Sequence, residues 1–242
     1  MRVSPTQPAV GRRQAGSAGR SGESLYPATI VKLPVAREGY PFIGVPAAAA
    51  ALLLIAGHHA AGSVLALLAV ACAVFFRDPE REVPSDPLAI VSPADGKVIA
   101  LGRSDEDACI SIFLSIFDVH VNRSPTSAEV GPVVHARGRF LAAFDPRAPE
   151  VNEQTTIPLR CDAGLVIVKQ IAGLIARRIV CDVREGDRLR AGQRLGMIRF
   201  GSRTELILPP NAVPLVRVGD RVRGGATIVA RWQGPGEGRD TR

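Results

Sequence analysis

Three separated segments carry the residue types from which nucleophilic and acid–base chemistry can be built. Gly201-Ser202 stands between two apolar runs, Leu195–Phe200 and Leu206–Leu208. On its own such a dipeptide reads as a hairpin loop. It is not the G-x-S-x-G nucleophile elbow, because position 200 is Phe and position 204 is Thr, so a hydrolase of that type is disfavoured. Ser92-Pro-Ala-Asp-Gly96 puts Asp95 before a glycine, just ahead of a predicted strand, where a turn aspartate satisfies the local structure. Phe113-Leu-Ser-Ile-Phe-Asp-Val-His-Val-Asn-Arg-Ser-Pro125 closes an apolar strand with Asp118, His120, Asn122 and Arg123, and alternation puts Asp118, His120 and Asn122 on one face. Of the four histidines, His58 and His59 lie in an apolar segment and His135 at a predicted strand end. Only His120 is embedded in a polar cluster, where a structural and a catalytic reading both stand. A hydroxyl, an imidazole and a carboxylate are the parts of an activated serine nucleophile.

The elements that must position these groups are mostly strands. Beyond residue 81, Leu88–Ile90, Lys97–Leu101, Cys109–Phe117, Val130–Val134, Leu165–Ile171 and Ile175–Cys181 are short apolar runs bounded by turn residues. Helix signals beyond residue 76 are weak. Val183-Arg-Glu-Gly-Asp-Arg-Leu-Arg-Ala-Gly192 recurs as Val216-Arg-Val-Gly-Asp-Arg-Val-Arg-Gly-Gly225, at an offset of 33 residues with seven of ten positions identical. Each copy sets Gly-Asp at a tight turn. Two such hairpins related by pseudo-symmetry predict a mainly β domain built as a small flattened barrel-sandwich, of the kind seen in biotinyl and lipoyl carriers. Those carriers present a modified lysine on the turn between the halves. Here no Lys lies between the repeats, and Arg199-Phe-Gly-Ser-Arg-Thr-Glu205 occupies that place.

Ahead of the β region, residues Phe42–Phe76 contain no Asp, Glu, Lys or Arg, and Gly57-His58-His59 divides them. The arms Phe42–Gly57 and Ala60–Phe76 would each be about 24–26 Å long as helices, slightly short of a hydrocarbon core about 30 Å thick. A helical hairpin that dips into or crosses a membrane fits the break. A single tilted helix would leave two histidines at mid-depth, and a buried soluble hairpin is the remaining reading. Lys32 and Arg37 before the segment and Arg77 and Arg81 after it put both ends on the cytoplasmic side of a cell membrane. The domains predicted are a disordered basic tail over residues 1–37, a hydrophobic membrane-associated helical segment over 38–81, and a β-rich domain over 82–242.

Composition narrows the function classes. The chain has 242 residues, 46% hydrophobic and 22% charged, enough to bury a core. Aromatic residues make up 5%, with one Trp, which disfavours a stacking platform for nucleic acid. A nucleic-acid partner would explain only the net charge of +7. Cys72, Cys109, Cys161 and Cys181 are widely spaced with no C-x-x-C, so reduced cysteines are expected and no metal site is predicted. Only Lys32, Lys97 and Lys169 could serve chemistry that needs a lysine amine.

Taken in order, Glu38-Gly-Tyr-Pro-Phe-Ile43, Phe75-Phe-Arg-Asp-Pro-Glu-Arg81, Ser92-Pro-Ala-Asp-Gly96, Phe117-Asp-Val-His-Val-Asn-Arg-Ser-Pro125, Asn152-Glu153 and Met197-Ile-Arg-Phe-Gly-Ser-Arg-Thr-Glu205 resemble phosphatidylserine decarboxylase, in its short bacterial and archaeal form. The resemblance runs from about Tyr40 to Trp232. It implies a proenzyme that cuts itself between Gly201 and Ser202 into a β chain, residues 1–201, and an α chain, residues 202–242. Ser202 would be the self-cleavage nucleophile and would become the pyruvoyl cofactor. That group would form a Schiff base with phosphatidylserine, release carbon dioxide and yield phosphatidylethanolamine. From the family's Asp-His-Ser arrangement, His120 would act as base and acid and Asp95 would orient it. The long form has Leu-Gly-Ser-Thr at the cut and a second histidine where Arg123 stands here, so His120 would serve self-cleavage, decarboxylation or both. The implied partners are phosphatidylserine in the membrane and the two chains of one precursor, with a homo-oligomer of that heterodimer left open. Two other readings compete. One is a membrane-tethered, non-catalytic carrier or assembly module of the biotinyl type. The other is a membrane-anchored serine hydrolase using Asp95, His120 and Ser202, which would remain a single chain.

Overall fold

A computed structural model of the chain describes residues 34–104, 107–174, 178–199 and 201–233. The tail predicted over 1–37 lies outside the described residues as far as residue 33, and its last four residues are not tail at all. Val35 bridges to Arg77, and buried Ala36 donates its N–H to the Phe76 carbonyl at 2.7 Å. This clasp closes the open end of the hydrophobic segment.

That segment forms two helices, α1 (Tyr40–Ile55) and α2 (His59–Phe75), with the reversal at 56–58. The break falls where Gly57-His58-His59 predicts it, and the single long helix is excluded. The helices face each other through small residues, Ala50, Gly62 and Ala69, which are buried. Their larger apolar side chains, among them Leu52, Ile55 and Leu67, point outward and are exposed. A hairpin buried in a soluble core would show the opposite. Arg37–Ile55 is long and apolar enough to cross a membrane, and α2 is shorter.

The strands follow in two groups. The first is β1 (Ala89–Val91), β2 (Gly96–Ser104), β3 (Asp107–Leu114), β4 (Val121–Arg123), β5 (Ala128–Val130), β6 (Val134–Ala136), β7 (Gln154–Cys161) and β8 (Gly164–Ile171). The second is β9 (Ile179–Cys181), β10 (Arg188–Leu189), β11 (Arg194–Ile198), β12 (Ser202–Leu208), β13 (Ala212–Pro214), β14 (Arg221–Val222) and β15 (Ile228–Trp232). A four-residue helix, α3 (Ala148–Val151), precedes β7. The run predicted as one strand over Val130–Val134 is instead two, β5 and β6, parted at 131–133. The expected strand Ile175–Cys181 is seen as β9, and its residues 175–177 lie outside the described residues.

The largest sheet has nine strands, in the order β10-β5-β7-β8-β12-β3-β2-β14 with β6 on β7, and all its pairs are antiparallel. β12 is central: Arg203 pairs with Phe113 on β3 and with Ile171 on β8. Ser202, Thr204, Leu206 and Leu208 alternate toward the core, whose apolar cluster includes Ile110, Ile112, Val166 and Val168. A second cluster joins the hairpin to the separate three-stranded sheet β4-β11-β9, with Phe75 and Phe76 packed on Val119, Val121 and Met197.

The repeat is matched bond for bond. Arg184 N donates to Asp187 and Arg217 N to Asp220, both at 2.7 Å. Gly186 N donates to the Val130 carbonyl and Gly219 N to the Val98 carbonyl, while Gly192 N and Gly225 N donate to the carbonyls of Ser124 and Ser92, all at 2.8 Å. The partner segments are therefore a second repeat, Ser92-Pro-Ala-Asp-Gly-Lys-Val98 against Ser124-Pro-Thr-Ser-Ala-Glu-Val130, with only Ser, Pro and Val shared.

Candidate active site

The β3–β4 connection, the end of β8 and the start of β12 meet at Gly201. Ser202 opens β12 opposite Leu114 and is fully buried. Its Oγ has no hydrogen-bond partner among the described residues. Gly201 sits at φ +63°, a left-handed conformation that disfavours any side chain. On its other flank lies Gly173, just past β8. A Cβ built on Gly173 would stand 2.0 Å from the Gly201 carbonyl oxygen, so only hydrogen leaves room for that carbonyl.

His120 lies against Gly201 on its amide side. Its Nε2 accepts the Gly201 N–H at 3.3 Å, and its Nδ1 lies 2.9 Å from the Asp118 carbonyl oxygen. A carbonyl can only accept, so Nδ1 carries the proton and Nε2 presents its lone pair to residue 201. The Phe75 ring covers the imidazole at 4.3 Å. Burial lowers the histidine pKa from 6.5 to about 4, against the opposing pull of Asp118. His120 is therefore a neutral base at physiological pH.

Asp95 is placed differently from the sequence expectation. Its Oδ1 accepts the Gly224 N–H at 2.8 Å and its Oδ2 accepts from Arg81 at 2.7 Å. In the second half of the pseudo-symmetric pair, Ser127 Oγ accepts the Ala191 N–H at 3.2 Å. Asp95 thus caps one repeat turn as Ser127 caps the other. The position beside His120 Nδ1 is filled by a backbone carbonyl, and the Asp118 carboxylate is spent on the Ser115 N–H and hydroxyl at 2.8 and 2.7 Å. Burial raises the Asp95 pKa, with Arg81 pulling the other way.

Sequence reasoning passed over a buried polar row on the Ser202 face of the sheet. Gln170 Nε2 donates to Asn122 Oδ1 at 2.8 Å, and Asn122 Nδ2 donates to Thr204 Oγ1 at 3.2 Å. All three residues are fully buried, and Gln170 pairs with Thr204, two residues along β12 from Ser202 and on the same face. Gln170 Oε1 has no partner among the described residues. A signal was present, because Val166 and Val168 precede Gln170 on an otherwise apolar face of the strand. On the opposite face Arg203 donates to Ser111 Oγ at 2.8 Å and pairs with Glu205 at 2.8 Å, which fixes the start of β12. Arg123 pairs with Asp78 and donates to the Gly192 carbonyl at 3.1 Å, so it serves the repeat.

The site therefore holds a buried hydroxyl, the Gly201 carbonyl in a glycine-lined niche and a neutral imidazole bonded to the Gly201 N–H. Comparison with known proteins agrees with that chemistry. The family model for phosphatidylserine decarboxylase matches residues 68–230. A phosphatidylserine decarboxylase proenzyme of Symbiobacterium thermophilum is 49% identical over 205 residues, covering 81% of this chain and 95% of the relative. One from Desulfotalea psychrophila is 45% identical over 208 residues, covering 83% and 97%. One from Mycobacterium tuberculosis is 47% identical over 175 residues, covering 68% and 76%. These matches remove the non-catalytic carrier reading. With the buried serine and histidine both adjoining Gly201, they lead to one assignment: the chain belongs to the phosphatidylserine decarboxylase family, of the short bacterial type by its length.

Proposed function

We propose that the chain cuts itself between Gly201 and Ser202, and that residue 202 becomes the pyruvoyl group used to decarboxylate phosphatidylserine to phosphatidylethanolamine. The family activity is phosphatidylserine decarboxylation, a carboxy-lyase reaction. The observation that carries the site assignment is the buried Ser202 Oγ, without a hydrogen-bond partner among the described residues, next to Gly201, whose N–H is bonded to His120 one peptide before the proposed cut.

The residues fit conversion of this serine. Removing an oxygen that makes no hydrogen bond leaves no buried partner stranded. In the precursor, Ser202 Oγ adds to the Gly201 carbonyl carbon, and His120 Nε2, turned from the Gly201 N–H to the hydroxyl, takes the hydroxyl proton. The Gly201–Ser202 carbon–nitrogen bond breaks, His120 returns the proton to the leaving nitrogen, and an ester replaces the peptide. Loss of the Cα proton of residue 202 then expels the Gly201 carboxylate and leaves a dehydroalanine. Water replaces its nitrogen, releasing ammonia. The resulting pyruvoyl carbonyl supplies an electron sink for loss of carbon dioxide from an amine-bearing substrate. Gln170, Asn122 and Thr204 keep the surroundings of residue 202 polar, and Phe75 excludes water from His120. Asp95 supports the site at one remove, through Arg81 and Gly224.

The paired repeats and their matching hydrogen bonds support the flattened barrel-sandwich description of the β domain. The clasp of Ala36 on Phe76 joins the two ends of the hairpin, and Arg37, Arg77 and Arg81 at those ends favour a cytoplasmic catalytic domain. The test is intact mass. Active protein should resolve into chains 1–201 and 202–242, the smaller refractory to amino-terminal sequencing. A single full-length species in active protein would overturn the assignment.

A further inference from the structure

The loops that ring Gly201 end in exposed apolar side chains. Ile116 and Phe117, 52% and 79% exposed, cap the β3–β4 turn, and Ser202 pairs with the last residue of β3. Leu174, 62% exposed, follows Gly173, which faces the Gly201 carbonyl. Phe144, 69% exposed, follows Ala143, whose Cβ lies 3.3 Å from the position a Gly173 Cβ would take. The Phe144 ring also meets the Phe113 ring of β3 edge-on at 6.2 Å. Three loops from distant parts of the sequence therefore set apolar tips around one peptide. Scattered exposed apolar residues are ordinary, but a contiguous group around a site marks a binding surface.

The hairpin stands at the same corner. Phe75, at the end of α2, covers His120, and Phe42 of α1 stacks on Phe76 at 5.3 Å. Arg77, the second residue after α2, donates to the Phe117 carbonyl at 2.6 Å and so ties the turn to the helix end. The Arg199 guanidinium lies 5.5 Å over the Phe42 ring. Neither Arg77 nor Arg199 forms an ion pair among the described residues, so both leave positive charge at the rim.

We propose that Ile116, Phe117, Phe144 and Leu174 form a lip that enters the headgroup–acyl boundary of a phospholipid bilayer, a second membrane contact besides the hairpin. The occupant is lipid because the end of α2, whose outward side chains are apolar, is tied to the lip through Arg77 and the Phe117 carbonyl, and because the family substrate is a diacyl lipid. Its head group must reach a fully buried residue 202. A lip that enters the bilayer gives it an apolar-walled route in which the acyl chains stay in lipid. Unpaired arginines at the rim suit an anionic surface. The inference rests on Gly201–Ser202 being the site, which chain masses test separately.

The experiment uses the full-length, self-processed enzyme. In the wild type the sole Trp is Trp232, buried in β15. Phe117→Trp adds a second indole, at the lip, as a reporter. With vesicles of phosphatidylcholine and phosphatidylserine carrying bromine on the acyl chains, fluorescence of the introduced indole should be lost while that of Trp232 persists. Phe117→Asp and Leu174→Asp should each lower the ratio of kcat/KM on vesicular phosphatidylserine to that on a soluble short-chain analogue by about tenfold, from the apolar burial forfeited. An unquenched reporter at position 117, in an enzyme that turns over vesicular lipid, would overturn the proposal, whether the lip then faced a protein or water. A ratio unchanged in both Asp variants would do the same.

Discussion

Gly173 and the carbonyl of Gly201 face each other across the edge of the sheet so closely that one methyl group on Gly173 would lie 2.0 Å from the carbonyl oxygen. Gly201 is a candidate from the resemblance and Gly173 is not, yet together they would set where the carbon attacked in the proposed cut sits. Gly173→Ala is expected to fold, because the residue lies beyond the end of β8. It should slow self-cleavage by about a hundredfold, as a displacement near 1 Å does in a reacting geometry. A time course of chain masses after synthesis measures this, and cleavage at the wild-type rate would refute it.

Ser202→Ala should remain one chain without decarboxylase activity. Because the hydroxyl has no partner among the described residues, its loss is expected to remove no hydrogen bond. The uncut variant should therefore melt no lower than the processed enzyme. Calorimetry beside mass analysis reads both outcomes, and a marked drop in melting temperature would show that the serine has a structural bond.

His120→Gln should also remain uncut, and the pH behaviour of the wild type should carry the histidine's signature. The folded-state pKa is lowered to about 4 from 6.5, so the unfolded chain takes up a proton first as pH falls. Stability from this group is therefore complete above about pH 6.5 and declines as pH drops toward about 4, by about 3 kcal/mol. Cleavage should stay level from pH 8 to about pH 5 and then fall as Nε2 is protonated. Denaturant titrations of His120→Gln and Ser202→Ala across that range isolate the term. An equal acid loss in both variants would assign it elsewhere.

Asp95→Asn separates two roles for that carboxylate. Asn can still accept the Gly224 N–H but leaves Arg81 unpaired in a mostly buried setting. A stability loss of about 3 kcal/mol is expected, with cleavage slowed far less than in His120→Gln. A cleavage defect as deep as that of His120→Gln, in a stably folded variant, would instead return Asp95 to the histidine.

Much of this architecture is legible in the residues because local chemistry dictates it. The charge-free stretch and its Gly-His-His interruption specify a hairpin with the observed reversal, and the Gly-Asp repeat specifies matched turns. β7 is harder to see: Gln154, Thr155 and Thr156 begin it and Pro158 interrupts it, yet Pro158 keeps its place in the ladder opposite Ile167. The Ser92–Val98 and Ser124–Val130 pairing is nearly silent in sequence because backbone bonds carry it. The motif alone reads Asp95 as a turn aspartate and the resemblance implies a carboxylate that orients His120; the matching bond at its pseudo-symmetric counterpart Ser127 favours the turn cap. Ser202 and His120 meet only because β12 threads between β3 and β8, a long-range fact that no local pattern encodes.

The central place of β12 bears on the lifetime of the enzyme. With ladders on both sides, a segment freed at its first residue by the proposed cut would stay threaded through its parent as firmly as any core strand. A prosthetic group made from residue 202 would then be a single issue per molecule, unable to dissociate or be exchanged for fresh material from solution. Under the proposed assignment, a molecule damaged at that residue would be replaced only by new translation.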